Sequence, residues 1–424
     1  MIMSVGQQQA GRLPASDAFF LHVESEAAPH HVGGLVMLDT SRAARPPSRE
    51  QAIAAISAKL GKLPRFGLRL AGSPGRPRWI PHPELDWSWH VPAFDLTRPD
   101  GRPGGMSALH ALVADLAARP LPRDRPLWRF CVVTGVEEGV AAIVSLAHHA
   151  VADGIGMINL MLGLFDSPDL TAGMEDVPRP GPLRKLLGGA VGLAQLATDR
   201  RPKAALPVSE TARRRFGTLR LDLDSVRELA RKRGARVTDV VLCGTAGALH
   251  RVSDAPLPPK LLVNVPLMAA DIRPGRDGNV TAGVMVEVPS GPMPEPERLA
   301  AITKASARLR TGTRVIASRF VMTTVAEMMP PAFHGWFARA VYGGKFFNGT
   351  VSNMPGAGWQ VVALGEYPLI TAYPIIPIAP GTPFVVGVLG WHGSFSMSVA
   401  TDPACVDDAE EFAGEFRKVL DELA

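Results

Sequence analysis

The stretch from Val140 to Ala147 is almost wholly apolar and leads directly into His148 and His149. A run of this kind is typical of a strand that is buried on both faces. The pair Asp153-Gly154 follows closely, and residues 155–165 carry apolar side chains at helical spacing. The sequence therefore predicts a junction between a strand and a helix, with two histidines at the end of the strand.

Strand-like and helix-like patterns are mixed along the rest of the chain. Further strands are predicted at residues 32–38, 130–135, 219–223, 260–266, 280–288, 361–370, 384–390 and 395–400. Helices are predicted at residues 51–60, 107–118, 225–233, 238–252 and 407–423. A chain of 424 residues is long enough for two domains. We therefore expect an α/β fold with two sheets.

The composition changes between Asp166 and Arg215 to a mixture rich in Pro, Arg, Gly and Ala, which is typical of a connection between domains. We predict an N-terminal domain over residues 1–170, a linker over 171–215 and a C-terminal domain over 216–424. Within the linker, residues 183–196 are apolar or small and have basic flanks. This pattern is compatible with a helix on a membrane surface, but it favours a linker helix packed on the protein.

Charge and cysteine content restrict the setting in which the protein works. The net charge of +5 comes from dispersed basic residues, which favours an anionic ligand or membrane surface over nucleic acid. Cys131, Cys243 and Cys405 lie far apart in apolar stretches, as expected of reduced core thiols. The N-terminus lacks the pattern of a signal peptide, so we expect a cytoplasmic protein.

The two histidines cannot both face one ligand while the strand persists, because successive side chains point to opposite sides. We expect one to face a cleft and the other to face the interior. This geometry argues against a metal pair, whose ligands would have to converge. The alternative is a purely structural role, in which both histidines are hydrogen-bonded residues at the end of a core strand.

Acyl transfer to an alcohol requires removal of the hydroxyl proton, and imidazole has a suitable pKa for that step. We predict that His149 is this general base. Asp153 would orient the loop, and Gly154 would allow a tight turn into the helix. A serine nucleophile is disfavoured because no Gly-x-Ser-x-Gly motif occurs.

Several segments together resemble the bacterial wax ester synthase/diacylglycerol acyltransferase family, within the chloramphenicol acetyltransferase and condensation-domain superfamily. The resemblance extends over nearly the whole chain. The segments that carry it are Leu13–Leu21, His31–Leu35, Pro126–Trp128, His148–Gly154, Thr238–Leu242, Gly278-Asn279, Ser352–Gly356 and Thr401-Asp402 with the terminal helix.

The resemblance implies two acetyltransferase-like domains, each a mixed sheet with helices, and an active-site tunnel at their interface. It also implies an acyl-CoA donor and a hydroxyl acceptor such as a long-chain alcohol or diacylglycerol. His149 matches the catalytic position, Asp153 the structural acid, and His31 a structural position. The family usually has Asn-Asp where this chain has Thr238-Asp239, and often a second Pro at Ala357, which leaves the acceptor open.

In the second half, Ser352 and Asn353 are candidate donors to the oxyanion that develops during acyl transfer, and Thr238 and Asp239 are further candidates. Asn353 could equally brace the turn that follows it. We expect no metal and no cofactor, with acyl-CoA as a co-substrate. A membrane or lipid-droplet surface is a candidate partner, and the sequence predicts no oligomeric state.

Two alternatives share the same fold. One is an acyltransferase of specialised metabolism that acts on a carrier-bound or small-molecule substrate. The other is a non-catalytic lipid-binding protein, which the intact His149 and Asp153 disfavour.

Overall fold

The structure, a computed structural model, describes residues 11–73, 75–152, 156–157, 163–165, 190–191, 194, 201–268, 281–307, 317, 320–321, 328–355 and 362–424. Asp153, Gly154, Gly278, Asn279 and Ala357 lie outside these residues, as does most of the predicted linker with its segment 183–196.

The strands and helices of the described residues follow the predicted order. The strands are β1 (Gly11–Arg12), β2 (His31–Asp39), β3 (Leu68–Ala71), β4 (Arg78–Pro81), β5 (Ala93–Asp95), β6 (Trp128–Glu137), β7 (Val140–His148), β8 (Arg215–Asp222), β9 (Lys260–Met268), β10 (Thr281–Pro289), β11 (Gly349–Pro355), β12 (Ala363–Leu364), β13 (Tyr367–Ile375), β14 (Phe384–Trp391) and β15 (Ser394–Thr401). The helices are α1 (Ala15–Val23), α2 (Arg49–Lys59), α3 (Trp87–His90), α4 (Gly105–Ala117), α5 (Leu223–Lys232), α6 (Val237–Val252), α7 (Glu295–Ala305), α8 (Pro331–Val341) and α9 (Ala409–Leu423).

Two six-stranded sheets form the framework. The first has the spatial order β12-β13-β2-β7-β6-β5, and the second has the order β10-β9-β11-β14-β15-β8. Both sheets are mixed, because β5 runs parallel to β6 and β11 runs parallel to β9 and β14, while the other pairs are antiparallel. The predicted α/β fold with two mixed sheets is confirmed. A smaller sheet of β1, β4 and β3 lies beside them.

Strand β7 occupies the centre of the first sheet, between β2 and β6. Every residue from Ala141 to His148 is buried, as the apolar run predicted. One face of the sheet packs on α4, and the other packs on a cluster that includes Leu21 of α1 and Ile56 of α2. Before its end, the strand has one polar side chain, Ser145, whose hydroxyl bonds to the backbone of Gly34. The histidines at its end are therefore the candidates for chemistry.

One strand crosses between the halves of the chain. β13 pairs antiparallel with β2, from Leu369 opposite Leu38 to Ile375 opposite Gly33, although it belongs to the range 216–424. Sheet membership therefore does not follow chain order at residues 363–375. The crossing covers the edge that β2 would otherwise expose, which removes unpaired backbone groups.

Two polar contacts also link the halves. Asp402 forms an ion pair of 3.2 Å with Arg214, whose Nη2 donates to the carbonyl of Ala27 at 2.7 Å. His110 of α4 lies between Glu410, at 2.8 Å, and the hydroxyl of Thr218, at 3.0 Å. The first contact holds the loop before β2 in a defined position. The second joins α4 to β8 and α9.

The second sheet packs on α6 and α9 around a large apolar core. Cys243 and Cys405 lie in this core and Cys131 lies in the first sheet, and all three thiols are buried and free, as predicted. Helix α6 begins at Val237, and the carboxylate of Asp239 caps it by accepting a bond of 3.0 Å from the amide of Arg236. Thr238 therefore lies inside the helix. No helix of the described residues is both long enough and apolar enough to cross a bilayer.

Candidate active site

His148 and His149 stand at the end of β7 and differ in their surroundings. His148 is the last residue of the strand and is almost fully buried, whereas His149 opens the following turn and is half-buried. The expectation that one of the two rings faces the interior is confirmed for His148. The pairing of His148 with His31 of β2 fixes the register of β7. Because side chains alternate along a strand, the register also fixes the face of the sheet on which the ring of His148 lies.

The ring of His148 is used within the fold. Its Nδ1 accepts a hydrogen bond of 3.0 Å from the amide of Ala150, so the ring proton resides on Nε2. Nε2 lies 3.3 Å from Oε1 of Glu24. Both ring nitrogens therefore have protein partners, and His148 is a positioning residue for the turn that carries His149.

Glu24 is the buried charge behind this pair. Burial opposes ionisation of its carboxyl group, but contacts with His148, the amide of His30 and Arg123 outweigh burial and hold the pKa of Glu24 well below its usual range. The amide of His30 donates to Oε1 at 3.2 Å, and Arg123 lies 3.0 Å from Oε2. The site thus contains a fixed negative charge directly behind His148.

His149 is held by its backbone and by one ring face. Its amide donates to the carbonyl of His30 at 2.8 Å. Its ring stacks on Phe20 of α1, with centroids 3.7 Å apart and planes inclined by 19°. A stacked ring keeps its orientation, which a proton-transfer group requires.

The turn after His149 is anchored by a buried ion pair. The amide of Val151 donates to the carbonyl of His148 at 2.8 Å, which closes the turn. The carbonyl of Val151 accepts a bond of 2.6 Å from Arg65, and Arg65 in turn lies 3.3 Å from the buried carboxylate of Asp17. Helix α1 therefore holds the histidine turn from two sides, through Asp17 and through Phe20.

Two further histidines near the site stay neutral. Burial lowers the pKa of His30 to about 4 and that of His31 to about 4, in each case against hydrogen bonds to backbone carbonyls. The partner of His30 is Ala28, at 3.1 Å, and the partner of His31 is Arg119, at 2.9 Å. Their roles are structural, as the resemblance implied for His31.

On β11, alternation separates Ser352 from Asn353. Ser352 shares a face with Met354, which packs in the same apolar cluster as Ala150 and Val151 of the histidine turn. Asn353 lies on the opposite face, where its Nδ2 donates to the hydroxyl of Thr238 at 3.1 Å. Only Ser352 is on the face directed toward the first sheet.

The remaining predicted residues are committed to α6. Asp239 is buried, and its carboxylate accepts from Arg236 at 3.0 Å and from Ser306 at 2.6 Å. Thr238 is bonded to Asn353 as described. These contacts make Asp239 a capping residue and the pair Thr238-Asn353 a link between α6 and β11. Asp153 and Gly154 lie outside the described residues, so their roles stay predictions.

Phe20, Glu24 and Arg65 contribute to the site without having been identified from the sequence. Phe20 lies within a segment that carried the family resemblance, but nothing in a single sequence pairs it with a ring far along the chain. Glu24 and Arg65 lie in stretches without a motif. Their contacts depend on how α1 and the short turn at Pro64–Gly67 pack against the end of β7.

Two other features bear on ligands. Among the described residues, no three His, Cys, Asp or Glu side chains converge in a way that could hold a metal ion. A mostly apolar cavity lies between the halves, lined by residues that include His31, Ala117, Arg214 and Ile376. His149 is not among the residues that line this cavity.

Family models match both parts of the chain. The wax ester synthase/diacylglycerol acyltransferase catalytic domain matches residues 13–197, and the C-terminal domain of the same family matches residues 277–424. One Mycobacterium tuberculosis protein with the provisional name diacylglycerol O-acyltransferase is 27% identical over 467 residues, covering 97% of this chain and 96% of its own. Another protein from that organism is 27% identical over 401 residues, which cover 84% of this chain and 83% of the relative.

Solved structures share the fold. The wax ester synthase/diacylglycerol acyltransferase from Marinobacter aquaeolei VT8 superposes with a TM-score of 0.70 at 20% identity, covering 97% of this chain and 98% of that chain. The first condensation domain of the calcium-dependent antibiotic synthetase gives a TM-score of 0.62 at 18% identity, with 98% and 95% coverage. The starter condensation domain of rhizomide synthetase, in complex with C8-CoA, gives a TM-score of 0.61 at 15% identity, covering 98% of this chain and 94% of that chain. The predicted acetyltransferase-like fold is confirmed.

Proposed function

This chain belongs to the wax ester synthase/diacylglycerol acyltransferase family, and we propose that His149 is the general base with which it acylates a long-chain alcohol or diacylglycerol. That the protein is an acyl-CoA-dependent O-acyltransferase follows from the family and from its relatives. The identity of the base and of the acceptor goes beyond the family assignment. Each is argued below from the geometry of the site.

The proposal that His149 is the general base is based on the different surroundings of His148 and His149. The ring of His148 has partners at both nitrogens, whereas His149 is half-buried and oriented by Phe20. A general base must present a nitrogen to the incoming hydroxyl in a fixed orientation. The stack on Phe20 gives the ring of His149 such an orientation, whereas the ring of His148 is already committed to Ala150 and Glu24.

The reaction is a direct transfer. His149 accepts the hydroxyl proton of the acceptor while the hydroxyl oxygen attacks the thioester carbonyl. The tetrahedral oxyanion collapses, the bond from carbon to sulfur breaks, and the proton passes from His149 to the departing thiolate of CoA. Ser352 is the preferred donor to the oxyanion because it lies on the face of β11 directed toward the histidine turn.

No metal or other cofactor is required by this scheme, with acyl-CoA as the co-substrate. A condensation domain of the same fold holds C8-CoA, which supports CoA as the donor carrier here. Asp153 and Gly154 would complete the turn after His149. The substrates would meet in a tunnel between an N-terminal domain over residues 1–170 and a C-terminal domain over 216–424, joined by the linker 171–215.

Long-chain acceptors and acyl donors reside in membranes or lipid droplets. We therefore propose that the protein works in the cytoplasm at such a surface as a peripheral protein, and that the basic, apolar segment 183–196 of the linker contributes to binding. Deletion of that segment should reduce flotation with liposomes. Unchanged flotation would assign the segment to packing on the protein instead.

The decisive experiment replaces His149 with Ala and measures release of CoA with a panel of acceptors. Loss of the general base should lower kcat by about 100-fold or more. The matched control is His250→Ala, which removes an exposed imidazole at the end of α6. Activity of the His149 variant above a tenth of the wild-type value would contradict the proposed role.

The same panel decides the acceptor. It should include long-chain alcohols, diacylglycerol and small hydroxylated metabolites, with a carrier-bound acyl donor in a parallel series. The substitution of Thr238 for the usual Asn and the fold shared with condensation domains favour testing the specialised-metabolism alternative. Turnover with small metabolites alone would replace the lipid acceptor, and CoA release with none of them would support the non-catalytic alternative.

A further inference from the structure

Helix α8 exposes large apolar side chains to solvent. Phe333 is 54% exposed and Trp336 is 65% exposed, while Met328 just before the helix is 81% exposed and Val341 at its end is 42% exposed. We call these four residues the α8 surface. Exposed aromatic residues grouped on one short helix mark an interaction site more often than scattered apolar residues do.

The opposite face of α8 is packed on the protein. Ala338 lies in a small cluster with Phe19, Phe20 and Val23 of α1. His334, on the same side as Ala338, is buried and bonded to the carbonyl of Met329 at 2.9 Å. The helix therefore has one face fixed on α1 and one aromatic face directed outward.

The segment that carries the α8 surface is basic, with Glu327 directly before it in the sequence. Residues 328–355 include Arg339 and Lys345, both exposed, and have no Asp or Glu. The guanidinium of Arg339 donates to the carbonyl of His22 at 3.1 Å, which places it where α8 meets α1.

The hairpin of β3 and β4 extends the basic region. Residues 66–83 also contain no Asp or Glu and include the exposed Arg76 and Arg78. The hairpin turn touches the start of α8, since a side chain at Gly75 would lie 3.1 Å from the carbonyl oxygen of Pro331. An aromatic helix face and an arginine-bearing hairpin therefore adjoin each other.

We propose that the α8 surface docks on an anionic lipid surface, with the β3–β4 hairpin holding the lipid phosphates. Tryptophan and phenylalanine insert at the boundary between headgroups and acyl chains, while arginine and lysine beside them attract anionic headgroups. A second copy of this chain would place these basic residues near identical basic residues, which is unfavourable. The lipid surface is thus the partner that matches both apolar character and charge.

Docking through α8 would bring the lipid close to the chemistry. Phe20 packs with Ala338 of α8 and stacks on the ring of His149. The α8 surface is therefore separated from the proposed base by the thickness of α1. The inference that docked lipid feeds this site rests on the proposed function, whereas docking itself does not.

Vesicle flotation tests the proposal. The wild-type protein should float with vesicles of phosphatidylcholine containing phosphatidylglycerol, and less with pure phosphatidylcholine or at raised salt. Phe333→Ser combined with Trp336→Ser should lower the apparent affinity for the anionic vesicles at least tenfold, since each ring loses most of its buried apolar area. The substituted residues are exposed, and an unchanged Tm would confirm that the variant is folded.

A second pair of variants tests the basic hairpin. Arg76→Glu with Arg78→Glu should weaken binding to anionic vesicles about tenfold or more. The matched control is Arg42→Glu with Arg45→Glu, which makes the same charge change at exposed positions beyond the end of β2 distant from His31. This control should change the affinity less than threefold.

The outcomes separate the hypotheses. The proposal would be overturned if the Phe333/Trp336 variant bound anionic vesicles as tightly as the wild type does. It would also be overturned if the wild type sedimented as a dimer and the variant as a monomer. Activity with a short-chain acyl-CoA and a water-soluble alcohol, measured without vesicles, should be unchanged in all these variants. If His149→Ala binds vesicles normally and the wild type releases no CoA, the proposed function fails while docking stands.

Discussion

The ring of Phe20 stacks on the ring of His149, with a distance of 3.7 Å between centroids and an angle of 19° between planes. Residues 129 positions apart in the chain are brought together because α1 packs across the end of β7. Contact with an aromatic face fixes the plane of the imidazole without using a ring nitrogen.

Phe20→Leu should therefore lower kcat about three- to tenfold, because a ring stack contributes roughly 0.5–1.5 kcal/mol and leucine preserves most of the apolar volume. KM should change little. Phe19→Leu, one position earlier in the same helix, provides the control, because Phe19 contacts Phe20 and Tyr342. Equal losses of kcat in both variants would show that α1 packing matters and the stack does not.

Ser352→Ala should reduce kcat about 100-fold with a small effect on KM, as expected for the loss of a donor that acts on the oxyanion. Asn353→Ala should mainly lower the Tm, because it breaks the bond to Thr238. Steady-state kinetics and thermal unfolding of both variants distinguish the two roles. The reverse pattern would make Asn353 the donor.

Gly33→Ala should destabilise the fold by about 3 kcal/mol or more, because a Cβ atom there would lie 1.8 Å from the carbonyl oxygen of Ser145 in β7. Gly34→Ala is the matched control. Its Cβ atom would meet no atom closer than 3.6 Å, so the cost should stay within about 1 kcal/mol. Urea unfolding measures both, and equal costs would contradict the close approach of β2 and β7.

Asp402→Asn should lower the free energy of unfolding by about 3 kcal/mol, because it leaves Arg214 without its buried partner. Asp407→Asn makes the same change in an exposed ion pair with the next residue, Arg215, at 2.7 Å. Its effect should be about 1 kcal/mol or less. Denaturant titrations at low and high salt measure both losses of unfolding free energy. Only the loss caused by Asp407→Asn should depend strongly on the salt concentration.

Acid should destabilise the protein from about pH 6.5 downward. Burial lowers the pKa of His30, His31 and His90 to about 4, so between pH 6.5 and 4 the unfolded chain binds more protons than the folded one. The free energy of unfolding then falls with falling pH by about 1.4 kcal/mol per pH unit for each histidine. Urea titrations from pH 8 to pH 5 measure this slope.

His90→Asn isolates one of these contributions away from the site. The Nδ1 of His90 donates to the carbonyl of Trp128 at 2.9 Å, and an asparagine amide can take over that bond. Below pH 6.5, the free energy of unfolding of the variant should fall with pH by about 1.4 kcal/mol per pH unit less than that of the wild type, which corresponds to one proton. Above pH 7 the difference between the two proteins should be constant. An unchanged slope would mean that His90 is protonated in the folded protein.

The composition and periodicity of the chain determined the α/β class, the two sheets and the burial of β7, since a continuous apolar run has a low free energy only when both its faces are covered. The same pattern identified the end of that strand as the place for polar chemistry. The motif singled out the His-His pair, and strand alternation predicted that the two rings would have different surroundings. These conclusions depend on neighbours in sequence, which a single chain displays directly.

Contacts between distant parts of the chain could be decided only by the tertiary structure. Packing of α1 on the end of β7 brings Phe20 to His149 and Glu24 to His148, and the transfer of β13 into the first sheet crosses the expected domain division. Alternation on β11 is visible in the sequence, but which face meets the histidine turn is not. Side-chain partners across such distances depend on the relative placement of whole elements, which many weak contacts set together and no local pattern encodes.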